Sequence, residues 1–499
     1  MIFQEPMSSL NPVMTCGQQV MEAILQHRKV TKAVAKKQTI ELFEKVKLPI
    51  PEAMFSRYPH QLSGGQKQRV MIAMAMSCKP QLLICDEPTT ALDVTVQNTI
   101  LQLIKELQVK ENIGVIFITH DLSVVGQIAD RIVVLYKGNI VETGTTADIF
   151  LHPNHPYTKA LLACRPVLHP KGQRLPVVSD FMEVAADGEI LEKSTDDRQL
   201  SIVDRRQTTE GQQTSNNSNT SSDFNNQRST VDGQRSSLLR VKNLKVWYPA
   251  KTNFLGKPTD YFKAVDDVSF EVFKGETLGL VGESGCGKTT LGRALLQLIP
   301  ATSGDIIYEE KNITSLSKKD VLELRKHMQI IFQDPYGSLN PRITVGQAIA
   351  EPLQVHGLLP TEKQRREKVV EWLEKVNLKA EHYNRYPHEF SGGQRQRIVI
   401  ARALVMNPQF VVCDESVSAL DVSVQAQVLN LLNDLKKEMG FTAIFISHDL
   451  GVVNYISERI MVMQKGRIEE IGWAEDVYRR PQSPYTKQLI EAIPKGYIG

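Results

Sequence analysis

The chain has 499 residues, of which 41% are hydrophobic, 23% charged and 6% aromatic. This ordinary globular composition excludes a collagen-like or wholly disordered chain, and roughly 100–200 residues per domain predicts two to four domains. The formal net charge of +3 gives no reason to expect a nucleic-acid partner. The six cysteines form no C-x-x-C pair, and the chain shows neither a run of about 18 apolar residues nor a signal-peptide pattern. A zinc site, a disulfide framework, a membrane span and export are therefore not indicated.

Several sequence motifs occur twice along the chain. The offset between copies is 329 residues from Gln4 to Gln333 and 328 residues from Ser63 to Ser391. Repeats this far apart are much longer than the units of about 20–50 residues that build solenoids, so the sequence predicts two homologous domains. The matching blocks are IFQEPMSSLNP at 2–12 with IFQDPYGSLNP at 331–341, RYPHQLSGGQKQRV at 57–70 with RYPHEFSGGQRQRI at 385–398, and FITHDL at 117–122 with FISHDL at 445–450.

A polar segment separates the copies. From about residue 194 to 237 the chain is rich in Ser, Thr, Asn and Gln, and such a segment buries too little apolar surface to offset its chain entropy. We interpret it as a flexible linker; an ordered polar loop of this length is the less favoured reading. The predicted division is a partial domain with its tail at 1–165, a linker at 166–237 that is disordered from about 194, a complete domain at 238–475 and a second tail at 476–499.

The two copies begin differently. The second copy starts near Leu238, well ahead of its IFQDP block, whereas only Met1 precedes that block in the first copy. We interpret Met1 as an internal methionine of a longer reading frame, so that the first domain lacks core strands and folds poorly in its first half. A truncated, inactive gene product is the alternative that this interpretation leaves open.

A phosphate-binding loop opens the second copy. Residues 278–290 read LGLVGESGCGKTT, an apolar strand-like run followed by G-x-x-x-x-G-K-T and a helical pattern. Glycines let backbone N–H groups converge on phosphate oxygens, Lys288 reaches the β- and γ-phosphates, and Thr289 ligates Mg²⁺. A Gly-rich turn could match the G-x-x-x-x-G-K-T motif by chance, but the strand-like run before it and the helical pattern after it make a chance match the less favoured interpretation. The predicted nucleotide-binding residues are Gly282, Glu283, Ser284, Gly285, Cys286, Gly287, Lys288, Thr289 and Thr290.

Two adjacent carboxylates end a second apolar run. The stretch QFVVCDE at 409–415 is typical of a buried strand. We expect Asp414 to hold the Mg²⁺ shell and Glu415 to polarise the attacking water. Paired acids at a strand end are more often caps or surface charges, but a phosphate-binding loop in the same domain favours catalysis.

Further motifs carry a family resemblance. LSGGQ at 62–66 and FSGGQ at 390–394 stand before the two D-E pairs, and TALD at 90–93 and SALD at 418–421 follow them. In these motifs the chain resembles ATP-binding cassette (ABC) proteins over both halves. The resemblance implies an α/β fold with two P-loop NTPase ABC-type nucleotide-binding domains in tandem, the first lacking its N-terminal part. The implied substrate and cofactor are ATP and Mg²⁺.

The resemblance also implies roles for individual residues. His448 matches the switch histidine that acts with Glu415, Gln333 matches a glutamine that reaches the Mg²⁺, and Tyr248 stands where relatives stack an aromatic ring on adenine. Because such domains pair head to tail, each ATP lies between the P-loop of one domain and the signature of the other. The cis partner of the second P-loop is then the first-copy signature of Ser63, Gly64, Gly65 and Gln66.

The text after each domain suggests the branch of the family. HPNHPYTKALLA at 152–163 and RPQSPYTKQLIEA at 480–492 resemble the tails of the oligopeptide, dipeptide and nickel import branch. That branch implies import of glutathione or another small peptide, two membrane-spanning permease partners, a periplasmic or extracellular solute-binding protein, and a peripheral place on the cytoplasmic face of the bacterial inner membrane. A twin-cassette ATPase that acts on ribosomes or DNA is the alternative, which the polar linker and the lack of a basic patch disfavour.

Overall fold

The computed structural model describes residues 1–4, 6–89, 92–184, 190–193, 235–253, 258–418 and 420–493. The described residues form two compact units, one of residues 1–155 with 492 and 493, the other of residues 156–491. Most of the predicted linker lies outside the described residues.

The first unit is mostly helical, and side-chain caps fix where its helices begin. Thr15, Thr31, Ser63 and Thr145 each accept a hydrogen bond from a backbone N–H of the first helical turn, which satisfies a donor that the helix leaves unpaired. The helices are α1 Pro6–Ser9, α2 Cys16–His27, α3 Lys32–Lys45, α4 Pro51–Phe55, α5 Gly64–Met76, α6 Val94–Glu111, α7 Leu122–Ile128 and α8 Thr146–Leu151.

The described strands of the first unit form two separate pairs. They are β1 Leu82–Asp86, β2 Gly114–Ile118, β3 Arg131–Tyr136 and β4 Asn139–Thr145. Strand β1 runs parallel to β2, and β3 runs antiparallel to β4. Ile2 extends the first pair by a parallel bridge to Cys85. Helices α2, α3, α5 and α6 supply the hydrophobic core behind β1, with Phe43, Met71 and Ile104 fully buried.

The second unit contains the larger sheets. Its strands are β5 Met182–Val184, β6 Ile190–Glu192, β7 Ser237–Thr252, β8 Pro258–Phe273, β9 Thr277–Val281, β10 Ser303–Tyr308, β11 Lys311–Asn312, β12 Met328–Ile331, β13 Phe410–Asp414, β14 Thr442–Ile446, β15 Arg459–Gln464 and β16 Arg467–Trp473. Among the described residues, β11, β10, β7 and β8 form an antiparallel sheet in that order.

A six-stranded sheet, counted over the described residues, forms the centre of the second unit. Its order is β12-β13-β14-β9-β15-β16, and all neighbours are parallel except the antiparallel pair β15 and β16. Every residue of β9, β13 and β14 is buried, as expected of parallel strands covered on both faces. The carboxyl ends of β9 and β13 therefore share one edge of the sheet, the edge where ligands bind in such folds.

Helices cover the sheets of the second unit. Capping boxes at Thr344, Thr361 and Ser391 define three of the helix starts. The helices are α9 Pro156–Ala163, α10 Lys288–Leu295, α11 Lys318–His327, α12 Pro335–Ser338, α13 Val345–Val355, α14 Glu362–Lys375, α15 Gly392–Leu404, α16 Val422–Met439, α17 Leu450–Ile456, α18 Ala474–Arg479 and α19 Pro484–Glu491.

The segment that follows the first copy packs within the second unit. Backbone N–H and C=O of Leu175 form two hydrogen bonds, of 2.9 and 2.8 Å, with the side chain of Asn430 on α16. The Tyr455 hydroxyl on α17 donates to the carbonyl of Gln173 at 2.6 Å, and Arg174 pairs with Asp434 at 2.7 Å. The unit division thus falls after residue 155, whereas the sequence placed the end of the first domain at 165.

None of the described helices combines the length and the apolar character needed to cross a bilayer.

Candidate functional site

The loop between β9 and α10 has a backbone that only glycine fits at two positions. Gly282 and Gly287 have positive φ angles of 152° and 106°. A Cβ at Gly282 would lie 2.1 Å from the carbonyl oxygen of Met463, and one at Gly287 would lie 2.0 Å from that of Ala264. The loop is therefore packed against neighbouring backbone, while Ser284 and Gly285 at its tip are exposed. Buried Cys286 and the first-turn residue Thr290 complete it.

Lys288 begins α10 and folds back over the loop. Its ammonium group is buried and donates to the carbonyls of Gly282 at 2.7 Å and Glu283 at 3.0 Å. The positive charge thus lies against two loop carbonyls, and the loop leads into the positive end of α10. This combination of N–H groups, helix terminus and cation is the physical basis of phosphate binding.

Thr289 and Asp414 meet across the strand edge. The Thr289 hydroxyl donates to Asp414 Oδ1 at 2.9 Å, which brings the start of α10 against the end of β13. Burial raises the pKa of Asp414 above its ordinary value, the hydrogen bond from Thr289 opposes that rise, and the charge of Glu415 adds to it. Two of the three metal ligands predicted from the sequence, Thr289 and Asp414, are therefore neighbours.

Glu415 follows Asp414 in a strained conformation. Its φ angle of 46° places a non-glycine residue in the left-handed region, which costs energy and is most often found at functional sites. Burial raises the pKa of Glu415, but the hydrogen bond from His448 and the charges of His448 and Lys288 outweigh that effect and bring the pKa below its ordinary value. The carboxylate is thus ionised at neutral pH.

Gln333 and His448 hold the same oxygen of Glu415. Gln333 Nε2 donates to Glu415 Oε2 at 2.8 Å, and His448 Nδ1 lies 3.5 Å from that oxygen. Gln333 follows β12 and His448 follows β14, the strands on either side of β13. The parallel sheet therefore brings together three side chains that the sequence placed in separate motifs.

The first unit contains the same trio. Gln4 Nε2 donates to Glu87 Oε2 at 2.7 Å, and His120 Nδ1 lies 3.0 Å from Glu87 Oε1. Glu87 also has a positive φ angle, of 44°. The left-handed glutamate is therefore a property of the repeated fold and not an accident of one copy.

The signature sequences form matching helix starts. Ser63 Oγ accepts from the N–H of Gln66 at 3.3 Å, and Gln66 Oε1 accepts from the N–H of Ser63 at 3.1 Å. Gly64 is exposed, and Gly65 is pressed against Val96, since an added Cβ would lie 2.5 Å from Val96 Cγ1. Ser391 begins α15 with the same capping box.

The structure leaves Tyr248 apart from these groups. It lies exposed on β7 opposite Phe262 of β8. An adenine role for Tyr248 remains a prediction.

One contact with the loop has no counterpart in the sequence motifs. The N–H of Glu283 donates to the hydroxyl of Tyr485 at 3.1 Å, although 202 residues separate them. Tyr485 belongs to the PYT text of the second tail, and only the repetition of that text in the first tail could have drawn attention to it.

Two family models match parts of the chain. Residues 1–90 and 265–418 match the family model described as ABC transporter. Residues 141–183 and 470–497 match the model described as oligopeptide/dipeptide transporter, C-terminal region.

Relatives match nearly the whole chain. The glutathione import ATP-binding protein GsiA of Pectobacterium atrosepticum is 48% identical over 496 residues, which cover 99% of this chain and 74% of the relative. The protein of the same name from Escherichia coli strain K12 is 49% identical over 499 residues, with the same coverage. Among solved structures, a dimeric ATP-binding cassette with ADP and Pi, MJ0796, is 27% identical and covers 47% of this chain and 98% of its own, with a TM-score of 0.43.

The chain therefore belongs to the ABC transporter family, as an ATP-binding and ATP-hydrolysing cassette protein. Within that family it carries the C-terminal region of the oligopeptide and dipeptide transporters after both copies. The predicted family and fold class are confirmed.

Proposed function

We propose that this chain hydrolyses ATP at the loop of residues 282–289 and thereby energises an importer of glutathione or another small peptide. One observation carries the hydrolytic part: the ionised carboxylate of Glu415, held by Gln333 and His448, follows directly on Asp414, which Thr289 joins to the phosphate-binding loop. Binding of the phosphates falls to the loop amides and to Lys288, which exchanges loop carbonyls for phosphate oxygens.

Thr289 and Asp414 fit a magnesium ion. Both offer hard oxygen atoms, and their separation of 2.9 Å allows both to face one ion. Mg²⁺ is usually held by one or two protein oxygens together with phosphates and water. When bound, Mg²⁺ would neutralise charge on the β- and γ-phosphates, and Gln333 is the third proposed ligand.

Glu415 is the proposed general base. An ionised carboxylate accepts a hydrogen bond from the attacking water. It takes the proton of that water as the bond from the water oxygen to phosphorus forms, which makes the water more nucleophilic. Gln333 and His448 fix the orientation of the carboxylate, so less orientational freedom is lost when water is aligned. His448 is also the proposed γ-phosphate contact.

The remaining wall of the site is proposed to come from the first copy. Ser63 and Gln66 form the capping box that begins α5, and the N–H groups of Gly64 and Gly65 lie in its first turn, where a helix N-terminus favours an anion. Closure of the signature on the bound nucleotide, and its release after hydrolysis, would be the movement passed to a transporter.

The transport assignment rests on relatedness. The two relatives named above are glutathione import proteins, and the tails match an oligopeptide/dipeptide transporter region. The proposed partners are two membrane-spanning permeases and, through them, a solute-binding protein, with this chain peripheral at the cytoplasmic face of the inner membrane.

Uptake tests the proposal. Proteoliposomes that hold this chain with its permeases and enclosed ATP should import labelled glutathione supplied with the solute-binding protein. Lys288→Ala should abolish uptake and phosphate release together, whereas Lys319→Ala, at an exposed lysine on α11, should alter neither. Uptake at the unchanged rate in Lys288→Ala would disprove the proposed engine. Import of a labelled dipeptide but not of glutathione would correct the solute alone.

A further inference from the structure

The second tail is anchored to the sheet of its own unit. Glu470 on β16 accepts hydrogen bonds from the backbone N–H groups of Gln482 at 2.9 Å and Ser483 at 3.1 Å, one on each carboxylate oxygen. Ser483 Oγ then accepts from the N–H of Tyr485 at 3.2 Å. These three bonds fix the turn that leads into α19, and with it the position of the Tyr485 side chain.

From this anchored turn, Tyr485 reaches the phosphate-binding loop. Its side chain is 7% exposed, and its hydroxyl accepts the N–H of Glu283 at 3.1 Å. Glu283 is the second residue of the loop. The carbonyl of the same residue accepts from Lys288 Nζ at 3.0 Å and from the N–H of Cys286 at 3.2 Å. The peptide groups on both sides of Glu283 are therefore held, one by the tail and the other by the loop itself.

Loss of the tail contact would act on the shape of the loop and not on the hydrolytic carboxylate. Glu415 lies after β13, and its contacts are with Gln333, His448 and Ser418. Removing the Tyr485 hydroxyl leaves those contacts in place but removes the acceptor of a part-buried N–H. A loop that is no longer held beforehand must be ordered by the nucleotide, which reduces affinity.

We propose that Tyr485 is a positioning residue for the phosphate-binding loop, so that the C-terminal tail sets the nucleotide affinity of the cassette. This inference rests on the proposed ATP site at residues 282–289. The tail would then affect nucleotide binding within its own cassette. The hydrogen bonds that transmit the effect run from Glu470 to the turn at 482–483, and from Tyr485 to Glu283.

The first copy offers matched controls. Glu142 accepts from the N–H groups of Asn154 at 2.7 Å and His155 at 3.1 Å, as Glu470 does at the equivalent positions. Tyr157 stands in the same HPYT or SPYT text as Tyr485. Tyr157→Phe and Glu142→Gln therefore repeat the same two chemical changes in the first copy.

The experiment measures ADP affinity by calorimetry with Mg²⁺ on the full chain, together with KM and kcat for ATP. Tyr485→Phe keeps the ring, so we expect it to fold and to weaken ADP binding and raise KM about 3- to 10-fold, with kcat unchanged. Tyr157→Phe should leave affinity, KM and kcat as they are. Unchanged ADP affinity in Tyr485→Phe, or a fall in kcat at unchanged affinity, would overturn the inference.

A double variant tests the path. Glu470→Gln should weaken ADP binding in the same direction, and Glu470→Gln combined with Tyr485→Phe should be no weaker than Tyr485→Phe alone, because both changes act through one contact. Additive losses would overturn the path. If the unaltered chain binds no ADP, the proposed function fails; if it binds ADP and Tyr485→Phe binds equally well, only the further inference fails.

Discussion

The two copies share strand sequences but not strand burial. In the second unit β9 lies between β14 and β15, and Ile444, Ile446, Met461 and Met463 are fully buried. Their counterparts in the described first unit, on β2 and β3, are 48%, 45%, 55% and 60% exposed, and β2 and β3 belong to different strand pairs. The counterparts, in the same order, are Ile116, Ile118, Val133 and Leu135.

This difference shows what a central strand contributes. In the second unit, four apolar side chains on the two strands beside β9 are fully buried, and burying an Ile, Leu or Met side chain is worth about 1.5–3 kcal/mol relative to leaving it exposed. The residues of β2 and β3 are as apolar as those of β14 and β15. Their exposure therefore reflects which elements pack against them and not their own composition. By contrast, the trio around Glu87 needs only residues next to β1 and β2, and it is intact.

The largest expected difference between the copies concerns the two glutamates. Glu415→Gln should lower ATP turnover by about 10²-fold or more, since a general base contributes about 10²–10⁴-fold. Glu87→Gln, with an equivalent set of contacts, should change turnover less than about twofold, because the predicted phosphate-binding loop belongs to the other copy. Phosphate release by the two purified variants measures this. Equal losses of phosphate release in the two variants would show that both glutamates take part in ATP hydrolysis, which would contradict the expected difference between the copies.

The next difference concerns the cost of cutting back an isoleucine. Ile444→Ala should lower the free energy of unfolding of the second unit by about 3 kcal/mol, because it opens a cavity in a closed core. Ile116→Ala should cost the first unit less than about 1 kcal/mol, since half of its side chain is already exposed. The three tryptophans, Trp247, Trp372 and Trp473, all lie in the second unit, so denaturation followed by fluorescence reports that unit. Amide exchange resolved by residue reports the first unit. Similar costs at both positions would contradict the burial argument.

A smaller effect separates the two signatures. Ser63→Ala and Ser391→Ala each remove the same N-cap, at a cost of about 1 kcal/mol in stability. If the first-copy signature completes the nucleotide site, only Ser63→Ala should reduce ATP turnover, by about tenfold, as expected for a lost hydrogen bond to a charged group. Steady-state turnover at saturating ATP is the measurement. A loss in Ser391→Ala but not in Ser63→Ala would instead point to pairing between two molecules of this chain.

The smallest expected effect is the same in both tails. The hydroxyls of Thr158 and Thr486 are buried, and neither has a hydrogen-bond partner among the described residues. Thr158→Val and Thr486→Val should each raise the free energy of unfolding by about 1 kcal/mol, because an unpaired polar group is removed without changing the shape. Thr277→Val is the control, since that hydroxyl accepts from Lys436 at 2.6 Å, and it should lower stability. Urea denaturation followed by tryptophan fluorescence compares them, and destabilisation in all three variants would contradict the assignment.

The fold class and the neighbourhood of the main site could be predicted from the sequence. Lys288, Asp414 and Glu415 follow apolar runs, and in a parallel sheet the ends of such runs meet at one edge. The resemblance then linked His448 to Glu415 and Gln333 to the Mg²⁺, whereas the hydrogen bond between Gln333 and Glu415 was found only in the structure. The order β12-β13-β14 in the parallel sheet brings these residues together.

Other features could not be predicted, because they depend on contacts between distant segments. No local pattern links Tyr485 to Glu283, or Leu175 to Asn430, since one hydrogen bond leaves no trace in the sequence of either partner. The left-handed conformation of Glu415 was also unforeseen, as glutamate has no preference for it. The exposure of Ile116 depends on which strand lies beside β2 and not on the amino-acid sequence of β2.

The packing of Leu175 and its neighbours on α16 and α17 has a consequence for proteolysis. A protease that cuts anywhere between residues 194 and 234 produces an N-terminal fragment that still carries residues 156–193, whose contacts are with Asn430, Asp434 and Tyr455 on the other fragment. The covalent break and the structural boundary do not coincide. A nicked chain should therefore elute as one particle on gel filtration and run as two bands under denaturing conditions. The contacts of residues 173–175 with α16 and α17 would hold the two fragments together.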